Sequence, residues 1–225
     1  MNLCAVVVEG PSEESFVESV LAPLAQPRGV FLVPIIVRTK YTATKVYRGG
    51  GGKWSAYRDL AAELLSQPQW AAVGIMFDVY GRPAGTPPIG TPLKGAALQE
   101  AIKAAVEKDL EEVRGGRGRI IAGPVLFEFE TLVLAALATG RTSAPRAATE
   151  GALRAIEVAG SVEAVNDGPS TSPSKRLLQW WPQYEKVIDG PALISEVPLR
   201  SVLQACPTFN EWLEHLLGAA GAGPS

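Results

Sequence analysis

The sequence predicts an α/β fold: a mostly parallel sheet flanked by helices, followed by an irregular and helical C-terminal part. Three observations predict it. The runs LCAVVVE (3–9), VFLVPIIV (30–37), AAVGIMFD (71–78) and RIIAGPVL (119–126) have strand length and little polar alternation, as strands covered on both faces do. Helical patterns separate these runs, which is the signature of βαβ units. Hydrophobic residues make up 47 % of the 225 positions, enough to fill one such core and to exclude general disorder.

The elements follow in order. After the first run, Ser12 is placed to cap a helix opened by Glu13 and Glu14, whose charges suit a helix N-terminus. Phe16, Val17, Val20, Leu21 and Leu24 repeat at helical spacing, and Pro27-Arg28-Gly29 ends the unit. Pro34 bends the second strand or puts it at a sheet edge. KYTATKVYRGGGGKW (40–54) reads as a loop. A helix is expected over 55–67, with Tyr57, Leu60, Ala61, Leu64 and Leu65 on one face. The third run stops at Asp78, and GRPAGTPPIGTP (81–92) reads as a lid or flap. A helix over 95–114 leads to the fourth strand. FEFETLVLAALAT (127–139) is expected to be a buried helix that carries Glu128 and Glu130 at its start. Residues 1–139 thus form the α/β core, and 140–225 an extension packed on it. In that extension helices are expected around 150–158, over 174–181 with Ser174 as cap, and over 209–217.

Net charge is −2 with a pI near 5.6, so overall charge gives no support to nucleic-acid binding. Its distribution does. Between Ser19 and Arg58 there is no acidic residue, while Arg28, Arg38, Lys40, Lys45, Arg48, Lys53 and Arg58 are all basic, interleaved with Tyr41, Tyr47, Trp54 and Tyr57. Such a stretch suits a polyanion, or it is a solvated basic face. The opening MNLCAVVVEG has no basic region before its apolar run, and no run approaches the ~20 residues of a membrane helix. Cys4 and Cys206 have no paired spacing, so the expectation is a reduced, cytoplasmic protein. RGGGGKW is not a phosphate-binding P-loop, because Tyr47 and Trp54 stand where that motif needs glycine and a hydroxyl residue. One histidine, His215, with two distant cysteines argues against zinc.

Two strand-length runs end on carboxylates, Glu9 and Asp78. In an open α/β sheet, ligands bind at the carboxyl ends of strands. Were the two strands neighbours, these carboxylates would converge, and Glu13, four residues after Glu9, could turn back toward them. Converging carboxylates repel unless a cation or basic partner joins them. All-oxygen ligands select Mg²⁺ or Mn²⁺. The plainer alternative is that Glu9 caps a turn and Asp78 begins a loop.

Four segments carry a family resemblance: VEGPSEESFV (8–17), MFDVYG (76–81), FEFETLV (127–133) and NDGPSTSPSKRLL (166–178), with CPTFNEWLEHL (206–216) near the end. Together they resemble the bacterial family catalogued as domain of unknown function 4276. That family looks like a divergent branch of the Rossmann-like Toprim fold, shared by topoisomerases, primases and overcoming-lysogenization-defect nucleases. The resemblance implies that Glu9 is the strand-end general base or metal ligand, Glu13 a second ligand, and Asp78 the first aspartate of an Asp-x-Asp motif. The third position of that motif is Tyr80, so Glu128, Glu130 or Asp167 would have to complete a two-metal site. Lys175 is the candidate for stabilising charge on a scissile phosphate and Arg176 for holding a phosphate, with Arg38, Lys40, Lys45, Arg48 and Lys53 along the polynucleotide backbone. The implied activity is a Mg²⁺- or Mn²⁺-dependent nuclease or phosphoryl-transfer reaction on DNA or RNA, with a partner ATPase and a role in anti-phage defence. The alternative is a catalytically silent subunit that regulates that ATPase, which Tyr80 favours.

Overall fold

A computed structural model describes residues 2–42, 45–48, 52–79, 81–113, 115–126, 128–165 and 171–221. Strand β1 (Asn2–Val8) runs into a helical segment made of α1 (Pro11–Phe16), a π turn (Val17–Leu21), α2 (Ala22–Ala25) and a 3-10 turn (Gln26–Arg28). Gly29, in the left-handed region at φ 75°, ends it and turns the chain into β2 (Val30–Ile36). The α1 start differs from expectation. Gly10 precedes the helix, Pro11 opens it and Ser12 lies buried in the first turn. Proline is favoured at the first helical position because the N–H it lacks would have no partner there.

The segment expected as a loop contains an antiparallel ribbon, β3 (Arg38–Thr42) with β4 (Lys45–Arg48), pairing Tyr41 with Val46 and Thr42 with Lys45. Its β-branched and aromatic residues favour a strand, a signal the neighbouring glycines obscure. Helix α3 (Trp54–Leu65), strand β5 (Trp70–Asp78), helix α4 (Gly95–Glu111), strand β6 (Ile120–Leu126) and helix α5 (Glu130–Ala138) complete the core. The 81–92 excursion is tied to the start of α3, since Trp54 N–H donates to Ala84 O at 2.9 Å and Ala84 N–H to Gly52 O at 2.8 Å. Then follow α6 (Arg146–Ala159), α7 (Pro173–Trp180), α8 (Lys186–Ser195), α9 (Leu199–Ala205) and α10 (Pro207–Gly221).

The main sheet has the order β2-β1-β5-β6, and all its described pairings are parallel. The architecture is consistent with a Rossmann- or Toprim-like fold. β2 is an edge strand, which accommodates Pro34 opposite Val6. Alternate residues divide β1 between two apolar layers. Cys4, Val6 and Val8 face α1, α5 and α10, whereas Ala5 and Val7 face α3 and α4. Coverage on both faces explains the continuous apolar run. Leu177, Leu193, Val202 and Leu213 from the C-terminal helices belong to the first layer, so α7, α8, α9 and α10 share a core with the sheet. Helix α10 reaches the sheet because position 74 is glycine; a Cβ there would stand 2.7 Å from Leu216 Cδ2. Glu163 holds the start of α10, accepting from Thr208 N–H and Oγ1 at 3.0 Å each. Among the described residues, no helix is long and apolar enough to cross a membrane.

Candidate functional site

Because β1, β5 and β6 are adjacent and parallel, their carboxyl ends open on one edge. Each delivers acid there. Glu9 follows β1, Asp78 ends β5, and Glu128 and Glu130 follow β6, with Glu130 as the first residue of α5. Glu9 Oε2 and Asp78 Oδ2 surround one point: a Cβ on Gly81 would lie 3.8 Å from the first and 3.9 Å from the second. The first turn of α1 brings Glu13 back to this edge, as its sequence spacing suggested, and leaves it 8 % exposed. Glu130 is more deeply placed, at 1 %.

Lys186, which sequence reasoning passed over, sits among these groups. Its Nζ is 3.4 Å from Glu13 Oε1 and 3.5 Å from Glu130 Oε2, and 5.6 Å from the centroid of the Phe129 ring. Burial alone would lower its proton affinity, but Glu130, Asp78 and Glu13 outweigh burial and hold the ammonium above its usual pKa. Phe129 is fixed in turn by an edge-on contact with Phe16, ring centroids 5.5 Å apart. Desolvation raises the Asp78 carboxyl well above the ordinary 3.8; Lys186 opposes this, while Glu13, Glu130 and Glu9 add to it. Glu130 is raised for the same first reason, again against Lys186.

Two tyrosines complete the surroundings. Tyr57 is fully buried on α3, stacked on Trp54 with ring centroids 6.3 Å apart. Trp54 is held by Asp109, whose Oδ2 accepts from Nε1 at 2.8 Å. The Tyr57 hydroxyl has no hydrogen-bond partner among the described residues, and neither has that of Tyr184. Burial, then Glu9, Glu13 and Asp78, raise the Tyr57 pKa; burial, then Glu130, Asp189 and Glu13, raise that of Tyr184. Both hydroxyls therefore feel the carboxylate cluster. In sequence, Tyr57 read as part of a helix face and as one of the aromatics among the basic residues, and Lys186 and Tyr184 stood in a stretch without a recognised helix.

The remaining predicted residues are distributed as follows. Glu128 Oε2 accepts from Ser174 N–H at 2.9 Å, which brings the start of α7 to the acidic edge. The residue preceding α7 is Ser172, so Ser174 lies inside its first turn rather than capping it. Lys175 is exposed in that turn. Arg176 faces elsewhere: its Nε donates to Thr171 O at 2.7 Å, and its side chain lines a cavity of about 410 Å³ with Arg154 and Trp180. Lys53 is exposed just before α3. The backbones of Arg38, Lys40, Lys45 and Arg48 form the β3-β4 ribbon, and their side chains lie outside the described residues, as do Tyr80 and Asp167. The ribbon leaves the sheet beside the acids, since Val37 N–H donates to Val8 O at 3.0 Å, next to Glu9.

Among the described residues, no three acidic, histidine or cysteine side chains are grouped as a ready-made metal cage. Mg²⁺ is commonly held by one or two carboxylates plus water and substrate phosphate, and the donors here are all oxygen. The chain matches the family model for the domain of unknown function DUF4276 over residues 8–217. It belongs to that family. No curated protein and no solved structure matches it. The matched span takes in Glu9, Glu13, Asp78, Glu128, Glu130 and Lys186 of this DUF4276 chain.

Proposed function

We propose that this DUF4276 protein is a Toprim-like, Mg²⁺- or Mn²⁺-dependent phosphoryl-transfer protein of nuclease type. The observation that carries the reading is the delivery of Glu9, Asp78 and Glu130 from three adjacent parallel strand ends into a desolvated edge. Carboxylate oxygens gathered at a poorly hydrated edge suit a hard divalent ion, and the Tyr57 hydroxyl, which has no hydrogen-bond partner among the described residues, fits a site that takes a polar ligand. Glu9 and Asp78 would hold the ion, with Glu13, Glu128 and Glu130 around them. When bound, such an ion offsets phosphate charge and acidifies water. Glu9 then serves as acceptor for the proton of the attacking water. Lys175, at the start of α7, lends positive charge to the phosphate. The basic β3-β4 ribbon and Lys53 hold the polynucleotide backbone next to this edge, through contacts that weaken with salt.

The test is cleavage of end-labelled single- and double-stranded DNA and RNA with Mg²⁺ or Mn²⁺, comparing the wild type with Glu9→Gln and Asp78→Asn. Metal-dependent cleavage lost in both variants is expected. A second reading, a silent subunit that regulates a partner ATPase, is favoured by Lys186, whose ammonium is already paired with Glu13 and Glu130. Metal binding without cleavage of any of these substrates would select it.

A further inference from the structure

The acidic edge is divided unequally. Glu13 and Glu130 share an ammonium at 3.4 and 3.5 Å, while Glu9 and Asp78 converge beside Gly81 on the strand ends themselves. Lys186 opens α8, and the ring of Phe129 lies 5.6 Å below its Nζ, so its charge is held from three sides. Such a cation is covalently tethered and cannot diffuse away. A divalent ion seeking the Glu13–Glu130 half would have to displace that ammonium from both carboxylates. The buried hydroxyl of Tyr57 feels Glu9, Glu13 and Asp78 and has no hydrogen-bond partner among the described residues. A buried donor in that condition points to a polar occupant at the acidic edge.

We infer that Lys186 is a built-in cation that claims the Glu13–Glu130 half of the cluster, so that the site takes a single exchangeable divalent ion, on the Glu9–Asp78 side. This rests on the metal-dependent reading above and specifies its stoichiometry. Lys186 is a positioning residue here, and the consequence concerns ion number before any chemistry.

The experiment counts Mn²⁺ bound per chain from the free-ion resonance signal and by calorimetry, with no substrate present. The wild type should bind one. Lys186→Ala should bind two, because the Glu13–Glu130 pair becomes a second cation site, and adding Glu130→Gln should return the count to one. Two ions in the wild type, or one in a folded Lys186→Ala, would overturn the inference. Should the alanine variant not fold, Lys186→Gln, which keeps bulk and a hydrogen-bond donor, takes its place with the same two outcomes. A wild type that binds no Mn²⁺ at all fails differently: it removes the metal-dependent reading itself.

Discussion

Gly190 lies one turn after Lys186 on α8, where the helix presses against Phe129. An alanine Cβ at this position would stand 2.8 Å from Phe129 Cε1 and 3.1 Å from the Tyr184 hydroxyl. The first distance is shorter than real Cβ contacts allow. The Phe129 ring cannot swing aside freely, being buried against Phe16. Overpacking of this kind costs about 1–3 kcal/mol. Replacing a helical glycine returns about 0.5–1 kcal/mol, because alanine restricts the unfolded chain. The net expectation is a loss of about 0–2.5 kcal/mol, or up to roughly 10 °C in melting temperature at ~2–4 °C per kcal/mol for a chain of this size. Urea unfolding of Gly190→Ala should show a lower midpoint with an unchanged slope. Adding Phe129→Leu should recover part of the loss, giving a non-additive pair. A Gly190→Ala protein more stable than the wild type, with an effect additive to that of Phe129→Leu, would refute the close packing of α8 that sets Lys186 in place.

Three further outcomes follow from the same geometry. Folding raises the Asp78 carboxyl above its ordinary 3.8, so the metal-free folded state binds that proton more tightly than the unfolded chain. Stability should therefore fall as pH rises from about 4 through the raised value, by about 1.4 kcal/mol for each tenfold difference in proton affinity; Asp78→Asn should flatten this slope and exceed the wild type at pH 7, and identical pH profiles would contradict it. Tyr57→Phe removes a buried hydroxyl without a described partner, so the metal-free melting temperature should hold or rise; a loss of about 1–3 kcal/mol would mean the hydroxyl is satisfied after all. Reversing Arg38 and Arg48 to glutamate should weaken polynucleotide binding and lower its salt dependence while the protein stays folded, and unchanged affinity would relegate the ribbon to a solvated face.

The sheet was legible because its central strands β1 and β5 are buried on both faces, a condition that writes itself into the runs CAVVV and AAVGIMF. The strand-end acids were legible for the same reason, since a carboxylate closing such a run stands out. That β1 lies beside β5 was not readable, because strand order depends on crossovers rather than local pattern. Helix α8 was hidden by Gly190-Pro191, two residues that ordinarily break helices, yet Pro191 lies inside it and Gly190 serves its contact with Phe129. With α8 unseen, Lys186 was an unremarked surface lysine. Its partner Glu130 lies 56 residues earlier in the chain, and no local rule links them. The ribbon was missed because Gly49–Gly52 outweighed the strand-favouring residues before them.

The most direct test of the central claim is the melting temperature of the wild type and of Asp78→Asn with and without millimolar Mn²⁺. An ion that binds only the folded state at a hundredfold excess over its Kd stabilises it by about 2.7 kcal/mol. At this chain length that is roughly 5–11 °C. A rise of that order is expected in the wild type, with near-complete loss of it in Asp78→Asn. A wild-type curve that Mn²⁺ leaves unmoved, or an equal rise in both proteins, would contradict a divalent-ion site built on Glu9 and Asp78.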